Sequence, residues 1–160
     1  TDSVDMDKIL DLTHPKLFII IPREQMAEAL LNAFNTEEFT ISLDSILLDT
    51  IYPIFKVGDG SYAKIKHSQI LKMKFKEAID TTDKEYLTEL LNDMKEGFPD
   101  SKVRFDAGTN SILISGPGYM IAIKDSYAKE WCFVNLEEED NQLTSLLFSE
   151  DVLKKLKEYK

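Results

Sequence analysis

Cysteine is almost missing from this chain: Cys132 is the only one in 160 residues. A single cysteine excludes an internal disulfide, a CxxC redox pair and a cysteine-rich zinc site. Arginine is nearly as scarce, with Arg23 and Arg104 alone, and arginine is the side chain best suited to bidentate phosphate contacts. The 19 Lys and Arg are outnumbered by 29 Asp and Glu, leaving a net charge of −10. The long-range field therefore repels nucleic acid and anionic membranes, and no nucleic-acid partner is expected. The longest apolar run, Leu17 to Ile21, falls far short of the ~20 residues that a membrane-spanning helix needs. Histidine occurs twice, as His14 and His67, too far apart for an HExxH metal site. Gly58-Asp59-Gly60 and Gly116-Pro117-Gly118 open neither a dinucleotide fingerprint nor a phosphate loop, and no GxSxG elbow occurs. No catalytic motif, cofactor signature or metal-ligand set is expected, although 29 carboxylates leave too many acid pairs to rank.

What is present is the make-up of a folded domain, 43% hydrophobic and 30% charged. The length suits one domain with a sizeable core. Residues 1–12 carry Asp2, Asp5, Asp7 and Asp11 around Met6, Ile9 and Leu10. They read as a flexible segment leading into a short helical turn, ahead of a single domain over 13–160. The polar start Thr1-Asp2-Ser3-Val4-Asp5 resembles the stretch just after a cleaved signal peptide or a lipid-anchor cysteine, so an extracytoplasmic location is expected.

Periodicity then sets out the elements. Pro22 suits a helix first turn, and Met26, Leu30 and Phe34 form one apolar stripe, predicting a helix over 22–34. Phe39, Ile41 and Leu43 alternate with polar residues as in a half-buried strand. A second strand is expected from Leu48 to Val57, with Pro53 marking an edge or a bulge. After the Gly58-Asp59-Gly60 turn a long strand spans 62 to 76. Thr82 and Glu85 have capping-box spacing ahead of the stripe Tyr86, Leu87, Leu90, Leu91 and Met94, which Gly97 and Pro99 end. Strands come next at Val103–Phe105, Ile112–Ile114, Tyr119–Ile123 and Trp131–Leu136, and Ser149 is placed to cap a last helix. The fold class is α+β, an antiparallel sheet with helices packed on one face.

Each half, 13–78 and 79–160, reads as a helix followed by about three strands. Ser45-Ile46-Leu47-Leu48 resembles Ser111-Ile112-Leu113-Ile114, and Ser61-Tyr62-Ala63-Lys64 resembles Ser126-Tyr127-Ala128-Lys129. Two readings stand: a duplicated helix-plus-three-strands unit, or chance recurrence of short words.

Two surfaces emerge on the 62 to 76 strand. Lys64, Lys66, Lys72, Lys74 and Lys76 share one parity and hence one face. They read either as a docking stripe for an anionic or acidic partner or as a solvated face that deters edge-to-edge association. The other parity places the polar His67 and Gln69 among Ala63, Ile65, Leu71, Met73 and Phe75. One reading is the floor of a ligand pocket, with His67 able to act as a general base and Trp131 supplying an aromatic wall. The other is satisfied core polar groups, or a bulge near Ile70 that turns them outward. Cys132 reads as a core thiol, and Glu137-Glu138-Glu139-Asp140 as a solvated loop without the glycine turn of a calcium site.

The stretch Glu130-Trp131-Cys132-Phe133-Val134-Asn135, followed after an acidic loop by Leu146-Leu147-Phe148-Ser149-Glu150-Asp151-Val152-Leu153, is similar to the closing segment of small uncharacterised bacterial secreted domains, some with the NTF2-like cone fold. Pro15-Lys16-Leu17-Phe18 and Pro22-Arg23-Glu24-Gln25-Met26 share that resemblance. An NTF2-like relationship implies a pocket, using His67 with a carboxylate. The element order, with three strands ahead of the second long helix, also resembles the acidic chaperones of type III secretion, which implies binding of an extended partner segment without catalysis. The leading expectation is a non-catalytic binding or accessory domain that engages a peptide or small molecule through a sheet surface. An NTF2-like pocket protein or enzyme and a structural subunit without ligand are the alternatives.

Overall fold

The computed structural model describes residues 5–135 and 142–159. The elements run α1 (Met6–Leu12), α2 (Leu17–Ile20), α3 (Arg23–Phe34), β1 (Phe39–Ile51), β2 (Phe55–Val57), β3 (Gly60–Phe75), α4 (Lys84–Gly97), β4 (Lys102–Asp106), β5 (Ser111–Lys124), β6 (Cys132–Asn135), α5 (Gln142–Leu147) and α6 (Glu150–Glu158). The α+β class is as expected. All six strands join one antiparallel sheet in the order β1-β3-β5-β4, with β2 also on β3 and β6 also on β5. No helix among the described residues is long and apolar enough to cross a membrane.

Local chemistry explains most of these boundaries. Gly58 takes φ +60°, a left-handed conformation that glycine adopts without penalty, so β2 can fold back onto β3. Asp83 caps α4 by accepting the Tyr86 N–H at 3.0 Å, whereas Thr82, the expected cap, turns back to Asp80. Ser149 caps α6 as expected. The two expected strands over 39–43 and 48–57 are instead β1, continuous to Ile51, and the short β2, parted at Pro53. Likewise Gly116-Pro117-Gly118 does not divide β5. β4 pairs with Ser111–Ser115 and β6 with Met120–Ile123, so the proline falls between the two, where neither needs its N–H. Met6–Leu12 forms a helix with Leu10 buried. The acidic run 137–140 and residues 1–4 lie outside the described residues.

The chain forms two compact units that do not coincide with the halves 13–78 and 79–160. One is drawn from Thr1–Glu28, Leu48–His67 and Gly118–Lys160; the other from Ala29–Leu47 and Ser68–Pro117. In the first unit Phe55, Tyr62, Ile121, Ile123, Phe148, Val152 and Leu156 form one cluster beneath α6, while Ala63, Ile65 and Ala122 bury against Met120, Trp131 and Phe133. Tyr62 and Ala63 are neighbours of opposite parity, so both faces of β3 are covered here. In the second unit Met73, Ile112 and Ile114 pack with Leu90, Leu91 and Met94 of α4 and with Phe39, Ile41, Leu71, Phe75, Val103 and Phe105. Of the stripe read from the α4 sequence, Leu90, Leu91 and Met94 pack here, whereas Tyr86 is exposed. In the second pair of similar words, Ser61–Lys64 lies on β3 and Ser126–Lys129 in the loop between β5 and β6.

Candidate functional site

β3 is one uninterrupted strand, and the five lysines from 64 to 76 differ in their surroundings. Lys64 is buried, and its ammonium donates to the Tyr159 carbonyl at 2.6 Å and the Leu156 carbonyl at 3.5 Å. It also sits 4.6 Å from the centre of the Tyr119 ring. A cation at these carbonyls satisfies the open end of α6 and opposes its dipole. Burial lowers the Lys64 pKa. Lys76, one residue beyond β3, donates to the Thr36 carbonyl. The Thr109 hydroxyl, against an opposing effect of burial, holds the Asp106 carboxyl below its ordinary range, helped by the Gly108 N–H, then Arg104 and last Lys72. Lys66 is half-buried and Lys74 exposed.

Of the three residues expected to build a pocket, His67 and Trp131 are packed into the fold. His67 is buried against Gly118, where a Cβ would lie 2.7 Å from the ring's Cε1. Only glycine admits the ring there. Trp131 is half-buried against the cluster of Ala63, Ile65 and Ala122, and Gln69 is half-buried on β3.

The other histidine meets a carboxylate. His14, 1% exposed, brings Nε2 to 2.9 Å from Asp125 Oδ2. Its Nδ1 accepts the Lys16 N–H at 3.2 Å, so Nε2 bears the hydrogen and donates to Asp125. The other Asp125 oxygen accepts the Tyr127 and Ala128 N–H groups at 2.9 and 2.8 Å, closing a turn after β5. Burial acts to raise the Asp125 pKa, but the Ala128 N–H, His14 and the Tyr127 N–H outweigh it and hold the carboxyl below its usual range. Both nitrogens of His14 are engaged, leaving none to take a proton from a substrate. The pair is a pin that ties the segment between α1 and α2 to the end of β5. Cys132 is buried, and burial followed by the nearby Asp125 charge pushes its thiol up, away from the reactive thiolate. Sequence reasoning missed the pin because its members stand 111 positions apart.

The most unusual surface is β1. It stands at the end of the sheet order beside β3, with Thr40 at its start also bridged to Asn35. Leu43, Ile46, Leu47, Leu48 and Ile51 are all exposed, with Leu47 at 65%, Leu48 at 63% and Ile51 at 63%. Ile54, just beyond it, is 61% exposed. These positions include both parities, and apolar residues on both faces are the pattern of a strand covered on both sides. Natural edges are ordinarily blunted by lysine, proline or a covering element. β1 contains no lysine and no proline.

Among the described residues no group of three or more His, Cys, Asp or Glu is arranged to hold a metal ion. Comparison with protein-family models, with curated proteins and with solved structures finds no match to this chain.

Proposed function

We propose that this protein is a binding domain that captures an extended peptide segment along the β1 edge of its sheet. The observation that carries the reading is the run of exposed aliphatic side chains on both faces of an edge strand. An edge offers a row of backbone N–H and C=O groups, and an added strand uses them for affinity while alternate side chains find apolar neighbours. Exposed leucines and isoleucines at this density cost solubility and are retained where they meet a partner. The pocket alternative has less support, because His67 is packed onto Gly118 and Trp131 onto Ala63, Ile65 and Ala122.

The test is an NMR titration with a pool of capped, strand-forming peptides of varied charge. Amides from Leu43 to Ile51 should shift and gain protection from exchange. Absence of any change in β1, or changes confined to the surroundings of His67 and Trp131, would remove the proposal.

A further inference from the structure

We infer that the strand added to the β1 edge is β1 of a second copy of this chain, paired antiparallel about a twofold axis at Leu47. This rests on the edge-binding reading above and names the occupant. The backbone sets the first condition. On either side of β1 the even-numbered Glu38 and Tyr52 bond toward β3. The Glu38 carbonyl accepts the Lys76 N–H and the Tyr52 N–H donates to the Lys64 carbonyl, each at 2.9 Å. The Phe39 carbonyl faces the other way and accepts the Thr36 N–H. Backbone groups alternate sides along a strand, so the odd-numbered residues of β1 turn theirs outward. An added copy must therefore set odd residues opposite odd ones, and a twofold axis then passes through a residue.

The side chains choose which residue. With Leu47 at the axis, Leu43 meets Ile51 and Ile46 meets Leu48, while Asp44 faces Thr50 and Asp49 faces Ser45. Every aliphatic residue from 43 to 51 thus meets another, covering the side chains that one copy leaves exposed. Each acid meets a hydroxyl that can donate to it. Asp49 keeps the interaction it has within the fold, since a carboxylate offers about four acceptor sites. Moving the axis to Ile46 or Leu48 sets Asp49 against Leu43 or Leu47, and an axis at Ser45 sets Asp44 against Ile46. An axis at Asp44 or Asp49 opposes two carboxylates. Of the axes from Asp44 to Asp49, Leu47 alone is free of such conflicts. Each copy carries a net charge of −10, a repulsion that physiological salt screens beyond about 8 Å.

Sedimentation of the full chain over a wide concentration range tests the inference, and a reversible dimer is expected. Thr50→Asp sets a carboxylate against Asp44 in both halves of the strand pair and should weaken the dimer at least about threefold, whereas Thr50→Lys should strengthen it by about as much. The same two changes at Thr88, exposed on α4, should move it far less, which separates contact from net charge. A chain that is monomeric at every concentration, with β1 amides that still shift on adding strand-forming peptides, would overturn the second copy and leave the edge reading standing. A monomer whose β1 amides never shift would end the edge reading itself. A dimer that responds alike to Thr50→Asp and Thr50→Lys, or as strongly to the Thr88 changes, forms through another surface and would overturn the inference.

Discussion

The His14 Nε2–H donates to Asp125 across 2.9 Å, joining positions 111 apart in the chain. The side chains are 2% and 12% exposed, so little water competes for the bond. Replacing His14 with Ala leaves the carboxylate short of a buried donor and opens space beside the segment preceding α2. The expected cost is about 2–3 kcal/mol, the range for losing a buried hydrogen bond to a charged group. Urea denaturation of the variant and the parent gives the difference directly.

The same pair makes a pH prediction. The Asp125 carboxyl is held below its ordinary value when folded. A carboxyl with a depressed folded pKa contributes stability above its unfolded pKa and loses it as pH falls through the folded value. The parent should therefore lose stability as pH drops below about 4, and Asp125→Asn should lose less over that window. Asp80 and Asp106 titrate in both proteins and drop out of the difference. Urea midpoints measured from pH 6 to about pH 2 decide it; parallel curves would count against the pin.

Gly118 is required by His67. Gly118→Ala should cost about 1–3 kcal/mol by forcing the ring or the strand to shift. Part of that loss should return in the double variant with His67→Ala, since the Cβ then meets no ring. A double-mutant cycle reports the coupling. Additive effects would mean that the two residues do not press on each other.

Lys64 and Lys74 share a parity on β3 but should behave differently. Lys64→Gln should cost about 1–2 kcal/mol through the open end of α6, whereas Lys74→Gln should stay within about 0.5 kcal/mol. Thermal melts of the two variants provide the comparison.

Much of the fold was legible because it arises from local periodicity. The α4 stripe of Leu90, Leu91 and Met94 and the alternation of Leu71, Met73 and Phe75 in β3 read directly onto the packed faces. Other features depend on distant partners. Pro117 reads as a strand break until β4 and β6 are known to leave a space beside it. Lys64 reads as a surface cation until the end of α6 lies over it. The β1 edge was legible only in part. Its aliphatic residues are plain in the sequence, but the pattern on two faces suggests an interior strand, and the folded chain leaves it exposed. That mismatch between patterning and exposure is what turns a strand into a candidate site.

The triple variant Leu47→Ser, Leu48→Ser, Ile51→Ser tests most directly whether β1 is kept apolar for a partner rather than for folding. The expected urea midpoint is equivalent to within about 1 kcal/mol of the parent, as for other exposed positions, with the peptide-induced shifts of the β1 amides abolished. A variant destabilised by several kcal/mol, or one whose β1 amides shift unchanged, would contradict it.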